Sequence, residues 1–198
     1  MLVLPVTLEG RLVRLEPLGE RHVDDLAVAG SDESIWRYLP YGTATTRERM
    51  ARFVREVLYR QARGTDLPFA VVDRATGRAV GCTRYLEIQP QHRGIEVGGT
   101  WYAVDRQRTG VNTECKRLLL GHAFEALGAI RVQLKTDLRN ERSQRAIGRI
   151  GATREGVLRD NVILPDGYRR STVYFSILDR EWPDVRARLD RMMAGPRP

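Results

Sequence analysis

The densest chemistry in the chain lies between Gly98 and Cys115, in the run Gly-Gly-Thr-Trp-Tyr-Ala-Val-Asp-Arg-Gln-Arg-Thr-Gly-Val-Asn-Thr-Glu-Cys. A strand pattern ends near Val104, a polar loop follows, and helical spacing begins near Thr113. A helix start leaves up to four amide N–H groups unpaired and carries a partial positive charge. It is therefore a natural seat for an anion. Gly110 has no Cβ to hold a ligand off the backbone, and Arg106 and Arg108 add full charges. The plainer alternative is a strand-to-helix turn with solvated arginines. No Gly-Lys-Ser/Thr follows, so the loop is not a P-loop. It also lacks the spaced glycines of a dinucleotide fingerprint. Cys115 falls in the first turn of the helix, where a thiol pKa can drop. No His–Asp partner accompanies it, so it reads as packing. His22 and His122 lie on helical faces without metal-ligand spacing, and no metal site is expected. Trp36, Tyr38 and Tyr41 either line an acceptor pocket or fill the core, whereas Trp101 and Trp182 read as buried anchors.

These residues must be held by an alternating set of elements. Residues 8–15 read as a first strand and 19–30 as a short helix with Val23, Leu26 and Ala27 at helical spacing. A capping box, Thr45-x-x-Glu48, opens a helix carrying Met50, Phe53, Val54, Val57 and Leu58, which Gly64 can end. Residues 69–72 and 79–88 form a hairpin around Gly77. Residues 94–104 make a strand interrupted by Gly98-Gly99, the mark of a bulge or of close approach by another backbone. A helix over 113–127 ends at Gly128. Residues 130–136 alternate as a half-buried strand, and 140–150 form a short helix stopped by Gly151. A second hairpin, 155–164 and 168–178, turns at Pro165-Asp166-Gly167. A terminal helix over 181–193 has Pro183 in its first turn. The order β-α-α-β-β-β-α-β-α-β-β-α predicts a mixed sheet with helices on both faces.

Length and composition bound the rest. The chain has 198 residues, 42% hydrophobic and 29% charged, ordinary values for a globular domain. They suit a single domain spanning 1–198, with a motif core of about 94–152. No apolar run approaches the ~20 residues of a membrane span, and the first residues lack a secretory pattern. The two cysteines form neither a CxxC pair nor a disulfide framework. A cytoplasmic location is the expectation. The net charge is +8 and the pI about 10.1. Lys116 and Lys135 are the only lysines among 33 basic residues. The arginine excess reads either as solvated helix faces or as a field that draws anions. No block of basic residues appears, so a nucleic-acid partner is not expected, and neither is a membrane.

The segment Gln107-Arg108-Thr109-Gly110-Val111-Asn112 resembles the Q/R-x-x-G-x-G/A motif of the GNAT N-acetyltransferases. Downstream, Asn140-Glu-Arg-Ser143 followed by Gly151-Ala152 is similar to the next helix of that fold. The first strand, Trp36-x-Tyr-Leu and the last hairpin, with Glu155-Gly156 and Tyr168-Arg169, resemble the RimJ/RimL-like branch, the ribosomal-protein alanine acetyltransferases. The resemblance runs from about residue 7 to 182. Asn112 departs from it, standing where the family has Gly or Ala; asparagine tolerates left-handed backbone and caps helices.

The resemblance implies the GNAT fold: a twisted, mixed, mostly antiparallel seven-stranded sheet, helices on both faces and a central splay between strands. It implies transfer of an acetyl group from acetyl-CoA to a primary amine, a protein N-terminus or a small amine, by direct attack in a ternary complex. A homodimer is one assembly it admits. The CoA diphosphate would fall to the backbone of Arg108, Thr109, Gly110, Val111, Asn112 and Thr113, with Gln107 a cofactor-binding residue of the same loop. The pantetheine amides would fall to the strand edge at Tyr102, Ala103 and Val104, and a strand amide near Trp101 and Tyr102 would meet the thioester oxygen. Glu96 is the leading general base, with His92 and Asp105 as alternatives. Ser143 is the leading partner of the departing thiolate, with Asn140 holding cofactor or loop backbone. Trp36, Tyr38 and Tyr41 are the acceptor-pocket candidates. Two other function classes fit the chain: a catalytically silent GNAT-fold module that binds acyl-CoA and regulates a partner, and a basic nucleic-acid-binding domain.

Overall fold

The computed structural model describes residues 1–195; positions 196–198, the end of the expected domain, lie outside the described residues. Eight strands form one sheet in the order β1-β2-β3-β4-β5-β6-β8-β7. They are β1 (Leu8–Glu9), β2 (Val13–Pro17), β3 (Leu67–Asp73), β4 (Ala79–Gln89), β5 (Gly94–Tyr102), β6 (Arg131–Asp137), β7 (Thr153–Ile163) and β8 (Arg169–Leu178). Five helices accompany them: α1 (Val23–Ala29), α2 (Arg47–Ala62), α3 (Val111–Gly121), α4 (Glu141–Arg149) and α5 (Trp182–Ala194). Period-two alternation divides the core between the two faces. On β3, Phe69 and Val71 join the cluster that contains Leu119 of α3, Ile147 of α4 and Leu189 of α5. Ala70 and Val72 join the cluster under α1 and α2, with Leu26, Phe53 and Trp101.

The expected order of elements is present, with eight strands in place of seven. The extra strand arises because 8–15 is not continuous. The chain turns at Gly10-Arg11-Leu12, so that Leu8 faces Leu15. The turn is held from far away in sequence. The Glu114 carboxylate, in the first turn of α3, accepts the amides of Arg11 (2.9 Å), Leu12 (2.7 Å) and Val13 (2.8 Å). The α2 cap is Thr46, one residue later than expected; its Oγ1 accepts the Arg49 amide at 3.3 Å.

Every neighbouring pair in the sheet is antiparallel except β5–β6. Those two run parallel for three residue pairs, Gly94–Arg131, Ile95–Val132 and Glu96–Gln133. Beyond Glu96 the strands part. β5 shifts register against β4 between Cys82 and Arg84, where Gly99 takes φ +57°, and stays with β4. β6 stays with β8 as far as Asp137–Thr172. The result is the expected central splay.

α3 is fixed over this fork by a second buried group. Lys116 is 7% exposed, and its Nζ donates to Thr100 Oγ1 of β5 at 3.1 Å. Burial pushes its pKa down to about 8.

Two consequences are measurable. Glu114→Ala strands three backbone amides and should cost about 3 kcal/mol, or ~6–12 °C in thermal midpoint for a chain of this size; a loss below ~1 kcal/mol would show that the turn does not need the carboxylate. For Lys116 the folded pKa lies below the unfolded one. The cost of the buried charge is therefore present in full below pH 8 and lifts as the pH climbs toward 10.5. Lys116→Met should be more stable than the parent by roughly 3 kcal/mol at pH 7. Urea unfolding should show that advantage fading by pH 10–10.5, and a pH-independent difference would refute the assignment.

Candidate active site

The splay opens a cleft of about 1850 Å³ that runs from the start of α3, past the β5 edge, to the outer face of β8. Its floor comes from strand alternation. Val132 and Leu134 of β6 and Val173, Phe175 and Ile177 of β8 point into the core. The residues between them face the other way: Lys135 opposite Tyr174, and Asp137 opposite Thr172. α1 and α2 cover the equivalent face of β3–β5, whereas here the face lines the cleft, joined by Tyr38 and Tyr41 from the connector between α1 and α2.

Glu96 stands at the fork. It is 1% exposed, yet it borders the cleft. Its Oε2 accepts from Lys135 Nζ at 2.9 Å and Gln133 Nε2 at 3.0 Å. Its Oε1 faces Gly98, 2.7 Å from where a Cβ there would sit, so Gly98 leaves room for this carboxylate. Burial alone would depress the Lys135 pKa, but the charge and hydrogen bond of Glu96 raise it above the ordinary lysine value. His92 and Asp105 do not line the cleft; Asp105 pairs with Arg106 at 3.3 Å.

The loop before α3 is built to leave amides open. Arg108 takes φ +59°, a left-handed conformation that is costly for a residue with a Cβ and is tolerated where surroundings impose it. Thr109 Oγ1 donates to Arg106 O at 2.7 Å and accepts the Val111 amide at 3.2 Å. The first internal turn closes with Glu114 N–H on Gly110 O at 3.0 Å. The amides of Asn112 and Thr113 are therefore the helix start's remaining donors. Gln107 braces the loop: its Nε2 donates to Tyr102 O (3.2 Å), and its Oε1 accepts from Arg142 of α4 (2.9 Å). Asn112 is not a cap. It is the second residue of α3, and its Oδ1 accepts the Tyr102 hydroxyl at 3.2 Å. A Cβ on Gly110 would press on Leu12 Cδ1 at 2.8 Å, itself a wall of the cleft.

The cleft brings together Glu96, Tyr102, Gln107, Arg108, Thr109, Gly110, Asn112, Thr113, Asn140, Ser143, Tyr38 and Tyr41. Asn140 caps α4, its Oδ1 accepting the Ser143 amide at 3.0 Å. Five residues sit elsewhere than expected. Ala103 and Val104 lie off the cleft: the Ala103 amide is bonded to Val80 O and Val104 begins a 3-10 turn. The strand edge that faces the cleft is Val97–Tyr102, the part of β5 beyond its pairing with β6. The Val111 amide is taken by Thr109 Oγ1 at 3.2 Å, and its side chain turns into the core. Trp36 is a core residue, 2% exposed, with its Nε1 on Gly30 O at 2.8 Å and its ring 5.0 Å from Trp101. Arg106 is drawn away to Asp73 at 3.0 Å. Burial pushes the Cys115 thiol up to about 12, so it is inert packing.

Sequence reasoning missed Lys116, Lys135, Arg84 and Arg170, all cleft-lining cations. One signal was present: the only two lysines in an arginine-rich chain both lie in this cleft. Arg84 is 1% exposed and pairs with Asp66 at 2.9 Å, and its guanidinium occupies the space a Gly99 side chain would need.

Comparison with known proteins agrees with this geometry. Residues 12–153 match the model of the Acetyltransferase (GNAT) domain. YdaF of Bacillus subtilis (strain 168), named provisionally as a ribosomal N-acetyltransferase, is 33% identical over 106 residues. That match spans 54% of this chain and 57% of YdaF. A crystal structure from T. thermophilus, provisionally titled an acetyltransferase, is 39% identical with a TM-score of 0.88, covering 98% of this chain and all of that one. Mycobacterium smegmatis RimJ, solved in complex with CoA-disulfide, has a TM-score of 0.80 at 20% identity, covering 96% of this chain and 95% of its own, a likeness of fold. With its forked sheet, open helix start and matched domain, the chain belongs to the GNAT acetyltransferase family.

Proposed function

We propose that the chain moves the acetyl group of acetyl-CoA onto a primary amine, a protein N-terminus or a small amine, by direct attack within a ternary complex. The observation that carries this reading is the fork itself. A buried carboxylate, Glu96, borders the same cleft as the open start of α3. The cleft suits the donor. The Asn112 and Thr113 amides, with the Arg108 side chain beside them, match a diphosphate. The unpaired edge of β5 at Val97–Tyr102 offers the peptide groups that an extended chain of amides needs. Bound there, acetyl-CoA supplies an acyl group activated as a thioester.

The chain's own groups then have distinct work. Glu96 takes the proton of the incoming ammonium, directly or through one water. Lys135 holds its own proton beside Glu96, so the carboxylate is the member of the pair left to accept. A strand amide near Trp101 and Tyr102 meets the thioester oxygen as charge builds on it. The Ser143 hydroxyl, at the cleft end of α4, donates to the departing thiolate.

Glu96→Gln tests the assignment with little change in shape. Thiol release should fall ~100-fold or more, while calorimetry should find acetyl-CoA affinity within about twofold of the parent, because the cradle at α3 is untouched. Undiminished turnover would remove Glu96 from the role. Acetyl-CoA binding without thiol release from any amine, in the parent protein, would favour a silent binding module.

A further inference from the structure

Buried cations in a protein are matched by an anion or carry a large cost. Around this cleft two buried cations lack a matching anion: Lys116 of α3, whose Nζ donates to Thr100 Oγ1 instead, and, on the β6–β8 side, Arg170. Lys135 has Glu96 at 2.9 Å. Arg84 has Asp66 at 2.9 Å. Arg139 has Asp137 at 2.8 Å. Arg170 is 6% exposed and has no carboxylate within ion-pair distance among the described residues. Its Nε is buried without a hydrogen-bond partner, and its Nη1 reaches only the Tyr38 carbonyl, at 3.4 Å. The acids whose fields it feels most, Asp137 and Glu96, are the two already bonded to Arg139 and Lys135. Burial pulls the Arg170 pKa down, as it does for a cation without a close counter-ion.

The position of this guanidinium is informative. Arg170 lines the cleft on β8, and β6 separates β8 from β5 in the sheet. It is thus across the fork from the β5 edge and grouped with the aromatic connector of Tyr38 and Tyr41. It shares the β8 face of Thr172 and Tyr174, and that face continues across β6 to Lys135. An anion there would reach the cleft from the acceptor's side, and a planar guanidinium with free donors is matched best by a carboxylate.

We propose that Arg170 is an acceptor-recognition residue and that the preferred acceptor is a primary amine carrying a carboxylate a few bonds away. The carboxylate completes the charge of Arg170 and leaves the amine free to turn toward Glu96. This rests on the acetyl-transfer reading and narrows its acceptor. The same chemistry is offered by a free amino acid and by a peptide N-terminus with an acidic residue close behind it.

The test is thiol release by the full chain with acetyl-CoA and matched acceptors. One arm takes glycine, β-alanine, γ-aminobutyrate and glycylglycine, each against its amide. The other takes short peptides with Asp or Glu at the second position, each against Asn or Gln. The acids of at least one arm should exceed their amides ~100-fold in kcat/KM, and the arm that does so identifies the source. In Arg170→Gln that preference should collapse to within a fewfold, mainly through KM, while acetyl-CoA affinity and turnover of the amides stay near the parent values. Arg170→Lys keeps the charge and should recover part of the preference. The parent protein alone can overturn the proposal, whatever the folding of the variants: acids and amides turned over equally would refute the carboxylate and leave acetyl transfer standing. Turnover of no amine in either arm would refute both readings.

Discussion

Everything in the cleft depends on where the β5–β6 ladder stops. A parallel pair that ran its full length would close the sheet and leave no strand edge for a ligand. Here it ends at Glu96, and the forces that end it are local. Gly98 leaves space for the Glu96 carboxylate and Gly99 leaves space for the Arg84 guanidinium. The positive φ at Gly99 turns β5 after β4, while the longer antiparallel pairing keeps β6 on β8. Glu96 itself ties the two strands through Gln133 and Lys135, so the branch point is held rather than frayed. The same side chain is the carboxylate best placed to act in the opening it creates.

Much of this frame was legible in the sequence because its signals are local. Gly77 and Gly167 take positive φ in their hairpin loops, and Gly64, Gly128 and Gly151 do so beyond helix ends, where turn chemistry places them. The Gly98-Gly99 pair announced a bulge, and the bulge sits at the centre of the site. The loop before α3 was legible from its motif, though not its detail. Val111 and Asn112 fall inside the helix because α3 begins two residues earlier than spacing alone suggests.

What stayed hidden depends on partners distant in sequence. The break between β1 and β2 is made by a glutamate more than a hundred positions away. The polar face of β6 and β8 reads as a solvated surface, and only the arrival of the α1–α2 connector turns it into the wall of a cleft. Trp36 illustrates the reverse case. An aromatic residue in a polar connector suggests a pocket, but Phe53 and Trp101 claim it for the core, and Tyr38 and Tyr41 are left to face the groove.

The near-absence of lysine has a chemical corollary. An enzyme that handles an activated acyl donor exposes its own nucleophiles to the same reagent, and guanidinium groups, unlike amines, do not take up acyl groups at neutral pH because they stay protonated. Of the two side-chain amines in this protein, Lys116 is 7% exposed and held on Thr100 Oγ1 at the cleft wall, and Lys135 is kept charged by its carboxylate neighbour. Its cationic surface is made of arginine, so the molecule carries a strong positive field while presenting almost nothing that its own reactive cargo could mark.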